Sequence, residues 1–114
     1  MSELEKADQM YHRALYFARE SNSTQVQAKT LNALAELDRQ QNLLAVATER
    51  HLAAIDLLIN IGAKCDLAEA YFQLSLTYKK MNRQDESITN LNRAIQLFTN
   101  IEAPKQVDKI SNQI

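Results

Sequence analysis

"AEAYFQLSLTYKKMNRQDESITNLNRAIQLF", residues 68–98, decides how the rest of the chain is read. Small residues alternate with bulky apolar ones along two candidate helices, and the polar stretch Met81 to Asp85 separates them. The stretch holds no glycine and no cluster of catalytic residue types. A helix pair of this kind is one unit of a repeat only if it recurs, so the chain must be compared with itself.

A shift of 40 positions brings the landmarks into register. Ala14, Ala54 and Ala94 coincide, as do Leu15, Ile55 and Ile95, then Ala7, Ala47 and Ser87, and then Tyr11, His51 and Leu91. These sets belong to one type of helix, called B. Ala7, Tyr11, Ala14 and Ala18 recur as Ala47, His51, Ala54 and Leu58, a spacing that keeps one face of a helix with 3.6 residues per turn. That face is the expected packing face. The intervening A helices align as well, with Ala28, Leu31 and Leu34 over Ala68, Tyr71 and Leu74. The connectors agree, "NIGAKCDLAEA" from residue 60 lying over "NIEAPKQVDKI" from residue 100.

Local signals place the ends. Ser2 with Glu5, Thr24 with Gln27 and Asp66 with Glu69 have capping-box spacing or its Asp-led equivalent. Pro104 suits a first helical turn, and Gly62 suits a C-terminal cap. The expectation is a single domain over 1–114: a B-type helix at 2–21, an A/B pair over 24–61, a second A/B pair over 66–101, and a partial terminal helix over 104–114.

Composition agrees with an all-α fold. One glycine, Gly62, and one proline, Pro104, leave few breaks, and 114 residues allow one ordinary domain but not two. Thirteen basic against fourteen acidic residues give a net charge of −1, so there is no overall positive field for nucleic acid or an anionic membrane. The N-terminal stretch is acidic and amphipathic, without the apolar core of a signal peptide, and no stretch approaches membrane-spanning length. A lone cysteine, Cys65, forms no internal disulfide and fits a reducing, cytoplasmic setting.

With the landmarks placed, residues 68–98 resemble the tetratricopeptide repeat. That family's pattern sets a bulky residue beside a small one on helix A, an aromatic three positions further on, and two small residues on helix B where the helices cross. Leu74, Ser75, Tyr78, Ser87 and Ala94 fill those positions, and Leu34, Ala35, Asp38, Ala47 and Ala54 fill them in the preceding copy. Small contact residues let two helix axes approach closely. The usual repeat is about 34 residues, so a spacing of 40 means longer helices, similar to the helical arms of large bacterial signalling regulators. Ile59 and Thr99 stand where the family's helix B usually ends in proline, and Asp38 stands at an aromatic position.

The resemblance implies antiparallel helix-turn-helix repeats stacked as a short right-handed α-solenoid, with the A helices lining a concave surface. It implies a protein- or peptide-binding scaffold or adaptor within a regulatory or signalling assembly; and since the sequence has no phosphate-binding glycine loop, no histidine pair at zinc spacing and no acid–base constellation, no enzymatic activity, cofactor or metal is expected. Carried over by position, the ligand-facing residues are Lys29, Asn32, Glu36, Arg39 and Gln40 on the first A helix, and Glu69, Phe72, Gln73, Leu76, Lys79 and Lys80 on the second. Phe72 and Leu76, one turn apart, are the expected apolar anchor, unless they pack on the neighbouring repeat. With Lys79 and Lys80 beside them they would suit an acidic, amphipathic segment.

A solenoid needs neighbours to cover its end faces, and this chain starts on a B helix. The alternative function is therefore self-association, a homodimer paired through uncapped ends such as that of Leu4, Met10, Tyr11 and Phe17. Chemistry has weaker claims. Asp8 and His12 share a helix face but read as a solvated pair, His51 reads as a packing residue with its polar tip satisfied, and Cys65 reads as an incidental connector residue beside Lys64.

Overall fold

Twenty residues, half the sequence period, make one helix and its loop. A computed structural model describes residues 2–101 and 104–112, which form α1 (Glu3–Glu20), α2 (Thr24–Gln40), α3 (Leu44–Ile61), α4 (Lys64–Lys80), α5 (Gln84–Asn100) and α6 (Pro104–Ser111). The fold is all-α, with no strand among the described residues. Of the expected terminal helix, residues 113 and 114 lie outside the described residues, as do connector positions 102 and 103.

The four described loops share one backbone device. Asn22, Asn42, Gly62 and Asn82 occur at intervals of 20 and adopt φ of 56°, 63°, 68° and 62°. At each, the left-handed residue donates its amide to the carbonyl three back, and the next residue donates to the carbonyl five back: Asn42 to Arg39 and Leu43 to Asp38, for example, at 3.0 and 2.8 Å. This is the Schellman pair of bonds, which satisfies helix-end carbonyls while turning the chain. Glycine tolerates that conformation without cost and asparagine is the next best choice.

Two expected caps are corrected by these loops. Ser23 precedes α2 and Ala63 precedes α4, neither with a side-chain cap bond, so Thr24 and Asp66 fall inside the first turns. The turn already positions a backbone carbonyl at each start: Gln27 donates to Ser23 at 2.9 Å and Leu67 to Ala63 at 2.9 Å. Asp66 instead accepts from the Gln25 side chain at 2.5 Å. Cys65 is accordingly an exposed residue of α4, not of a connector. At the start of α1, Ser2 does form a full capping box with Glu5.

Each helix packs on the next, and α2 also touches α4 directly, so the A helices form one layer. Ala28, Ala35, Ala47, Ala54, Ala68 and Ala94 are fully buried where helices cross, with Ser75 and Ser87 buried beside them. One cluster gathers Leu15, Leu31, Leu34, Ile55, Leu58 and Leu74; a second gathers Phe72, Leu91, Phe98 and Ile110. Helix α1 is the exception. Leu15 and Ala18 are buried against the next helix, but Tyr11, expected on the packing face, is 36% exposed. No helix among the described residues is long and apolar enough to cross a membrane.

Candidate functional site

Because α2 and α4 lie side by side, their outward faces enclose a shallow depression. Lys29, Asn32, Ala33 and Glu36 of α2 and Asp66 and Glu69 of α4 line it, with Ala28 and Leu58 at the floor. The spacing of 29, 32, 33 and 36 is one helix face. Lys29 is exposed, while Asn32, Glu36, Asp66 and Glu69 are half-buried. Burial raises the Glu36 carboxyl above its usual range, Glu69 adds to that rise, and Arg39 and Lys109 oppose it.

The neighbouring candidates are engaged with one another. Arg39 donates through Nη1 to the Gln73 carbonyl at 3.0 Å and the Thr77 hydroxyl at 3.3 Å, and through Nη2 to Gln73 Oε1 at 2.8 Å. Burial lowers the Arg39 pKa, with Glu36 acting in the other direction. Gln73 passes the chain of bonds on, donating to Glu69 Oε1 at 2.8 Å. Lys80 Nζ donates to the Arg39 carbonyl at 3.1 Å, whereas Lys79 and Gln40 face solvent.

Phe72 and Leu76 stand elsewhere. Phe72 is only 4% exposed, clustered with Leu91, Phe98 and Ile110, and Leu76 is half-buried against the same group. The Lys109 ammonium of α6 lies 5.7 Å from the Phe72 ring. The structure thus has this pair packed under α5 and α6.

Beneath the depression runs a polar connection that sequence spacing did not reveal. His51 Nδ1 lies 2.6 Å from Asn32 Oδ1 and its Nε2 lies 3.3 Å from the Thr77 hydroxyl. An amide oxygen only accepts, so Nδ1 carries the proton and Nε2 is the acceptor. Burial first, and then the Arg39 charge, lower the His51 pKa from 6.5 to about 3. Thr77 and His51 resemble a hydroxyl–base pair, but both are 0% exposed, so no substrate reaches them. Among the described residues no group of three or more His, Cys, Asp or Glu could hold a metal ion. Asp8 and His12 lie 3.5 Å apart on the exposed side of α1.

The depression also contains four residues outside the expected set: Ala28 and Leu58 at the floor, and Ala33 and Asp66 on the walls. Ala33 sits beside Asn32 on the same face and was within reach of periodicity. Asp66 carried a signal that pointed to a cap instead.

Comparison with known proteins agrees with this architecture. The family described as tetratricopeptide repeat matches residues 68–100. No curated protein matches the chain. Among solved structures, the crystal structure of BtubC (BKLC) from P. vanneervenii is similar, with a TM-score of 0.87 at 18% identity. The match covers 98% of this chain and 46% of that one, so this chain spans less than half of that protein's length. At that identity the likeness shows the fold. Tetratricopeptide repeats generally mediate protein–protein interaction, and the stretch that matches that family's model, 68–100, covers α4 and α5 within an all-α fold of stacked helices.

Proposed function

We propose that the chain is a protein-binding scaffold that seats a segment of a partner polypeptide in the depression between α2 and α4. The observation that carries this reading is the depression itself, where two helices present converging polar groups over a floor of Ala28 and Leu58. Lys29, Asn32, Glu36 and Glu69 are its contact residues, and Arg39 and Gln73 hold its wall in place. A surface that grips and leaves its ligand unchanged suits an adaptor in a regulatory or signalling assembly, in a cytoplasmic setting compatible with the exposed thiol of Cys65.

The chemistry of the depression favours a different partner from the acidic one that Lys79 and Lys80 suggested. Three carboxylates, of Glu36, Asp66 and Glu69, face one ammonium, of Lys29, while Lys80 is bonded to a backbone carbonyl and Phe72 is covered. Burial is the main cause of the raised Glu36 pKa and Glu69 adds to it, and a cationic side chain entering beside Glu36 offsets both. The supported ligand is a segment bearing Lys or Arg.

Two peptides of equal length test this, one alternating Lys and Ala and one alternating Glu and Ala, titrated against the chain by fluorescence anisotropy. The cationic peptide binds more tightly, its affinity falls with salt, and Glu36→Gln with Glu69→Gln weakens it about tenfold. Tighter binding of the anionic peptide would sink the assignment. Self-association through the open face of α1 is the competing reading, favoured by the exposure of Met10 and Phe17. Sedimentation at graded concentrations separates the two.

A further inference from the structure

The 40-residue register singles out one side-chain pair behind the depression. Asn32 lines the depression, and the fully buried His51 of α3 stands beneath it, with Nδ1 2.6 Å from Asn32 Oδ1. One period on, the same two positions hold Phe72 and Leu91, whose side chains carry no polar atom. Helix packing alone therefore does not call for a histidine here, since the second pair closes the equivalent place with leucine.

The histidine does call for one orientation of the Asn32 amide. Arg39 Nη1 donates to the Thr77 hydroxyl oxygen at 3.3 Å, which leaves the Thr77 hydrogen to donate in turn. Its two acceptors are His51 Nε2 and the Gln73 carbonyl, both at 3.3 Å, and that carbonyl already receives Arg39 Nη1 at 3.0 Å. A bare Nε2 leaves the ring hydrogen on Nδ1, where it meets Asn32 Oδ1. With its oxygen held inward, Asn32 turns Nδ2 and both hydrogens toward the depression. The surroundings favour the same choice from outside, because the carboxylates of Glu36, Asp66 and Glu69 attract amide hydrogens and repel an amide oxygen. Every buried side-chain nitrogen among the described residues has a partner, so Nδ2, which has none there, is open to the depression.

We propose that His51 is a positioning residue of the depression: by holding Asn32 Oδ1 from beneath, it presents the Asn32 N–H groups to a backbone carbonyl of the seated segment. The inference rests on the scaffold reading and deepens it. Asn32 lies one helical turn, about 5.4 Å, from Glu36, and an extended segment advances about 3.3 Å per residue. The carbonyl at Asn32 thus belongs to the residue that carries the cationic side chain or to its neighbour. Burial and the Arg39 charge push His51 down to about 3, so the ring stays neutral and its bonding roles are constant at neutral pH.

Long-range proton–nitrogen correlation on the uniformly labelled chain reads the ring without any substitution. A protonated Nδ1 and a bare Nε2 are expected, and the Asn32 side-chain amide should shift when the alternating Lys and Ala peptide is added. A proton on Nε2 overturns the proposal, because Nδ1 would then accept from Asn32 and turn its oxygen outward. Peptide affinity by fluorescence anisotropy near pH 7 separates positioning from mere support. His51→Leu keeps the place filled, as Leu91 does, and should weaken binding about three- to tenfold, the worth of one hydrogen bond. His51→Asn sets an amide nitrogen where Nδ1 stands and should bind within about twofold of the wild type. Circular dichroism verifies that both variants fold, and the ring resonances decide the orientation even if His51→Leu does not. Equal binding by the wild type and His51→Leu overturns the proposal, as does an equal loss in both folded variants. If the wild type binds no peptide, the scaffold reading falls, and the orientation of Asn32 stands or falls on the ring resonances alone.

Discussion

The two A/B pairs use the same small residues and opposite large ones. Ala28, Ala35, Ala47 and Ala54 in α2 and α3 match Ala68, Ser75, Ser87 and Ala94 in α4 and α5, and all eight are buried. Around them the second pair gathers an apolar cluster in which Phe72 and Leu91 meet Phe98 and Ile110. One period earlier the positions of Phe72 and Leu91 hold Asn32 and His51, which bond to each other at 2.6 Å. Tyr78 and Asn90 become Asp38 and Arg50, joined at 2.7 Å. No buried side-chain nitrogen or oxygen among the described residues lacks a partner. The difference teaches that close helix approach is set by the small positions, whereas the bulky ones accept oil or a fully bonded polar set.

If the polar junction is what distinguishes the first pair, acid should attack it. His51 titrates at 6.5 in the unfolded chain and at about 3 when folded. Between those values the unfolded state binds more protons, so stability is intact above pH 6.5 and is lost as pH falls toward about 3. At 1.36 kcal/mol per unit the full loss is about 4–5 kcal/mol, or a slope near 1.4 kcal/mol per pH unit. Urea unfolding of the wild type and of His51→Leu, which installs the second pair's residue, measures this. The variant's curve should be flatter by about that slope, and parallel curves would refute the assignment.

A smaller effect tests whether the polar pair replaces the aromatic position in full. Asp38→Ala leaves Arg50, only 25% exposed at its side chain, without its carboxylate. The cost should be about 2–3 kcal/mol, below that of a wholly buried pair because water reaches part of the guanidinium. Asp38→Tyr combined with Arg50→Asn transplants the second pair's residues and should return to within about 1 kcal/mol of the wild type. A double variant no better than the worse single one would mean that the two pairs are not interchangeable at this position.

How far such contacts are legible depends on whether they repeat. The period, the helix order and the alanine crossings follow from local spacing, because each residue's neighbour is three or four positions away or one period on. Lys29, Asn32, Glu36 and Glu69 converge for the same reason, since they lie on the repeating outer face of α2 and α4. What does not repeat is hidden. Arg39 reaches Gln73 across 34 residues and His51 reaches Thr77 across 26, and neither separation is a multiple of the period. Spacing left Phe72 open between ligand anchor and packing residue, because its covering residue, Ile110, stands where the earlier copies have the smaller Ala70 and Thr30. Asp38 looked like a defect until its partner on α3 was known.

The loops offer the smallest test, and one that joins both pairs. Gly62 alone carries an obvious left-handed signal, yet Asn22, Asn42 and Asn82 adopt the same conformation at the same interval. A Cβ added at Gly62 meets nothing within 4 Å, so substitution there reports backbone strain and no clash. Gly62→Ala should cost about 1 kcal/mol, lowering Tm by about 4 °C, since alanine resists positive φ. Gly62→Asn should cost less than half of that, because asparagine tolerates the left-handed region and three sister loops already use it. Equal losses for the two variants would show that the glycine is needed for something other than its φ, and the equivalence of the four loops would fail with it.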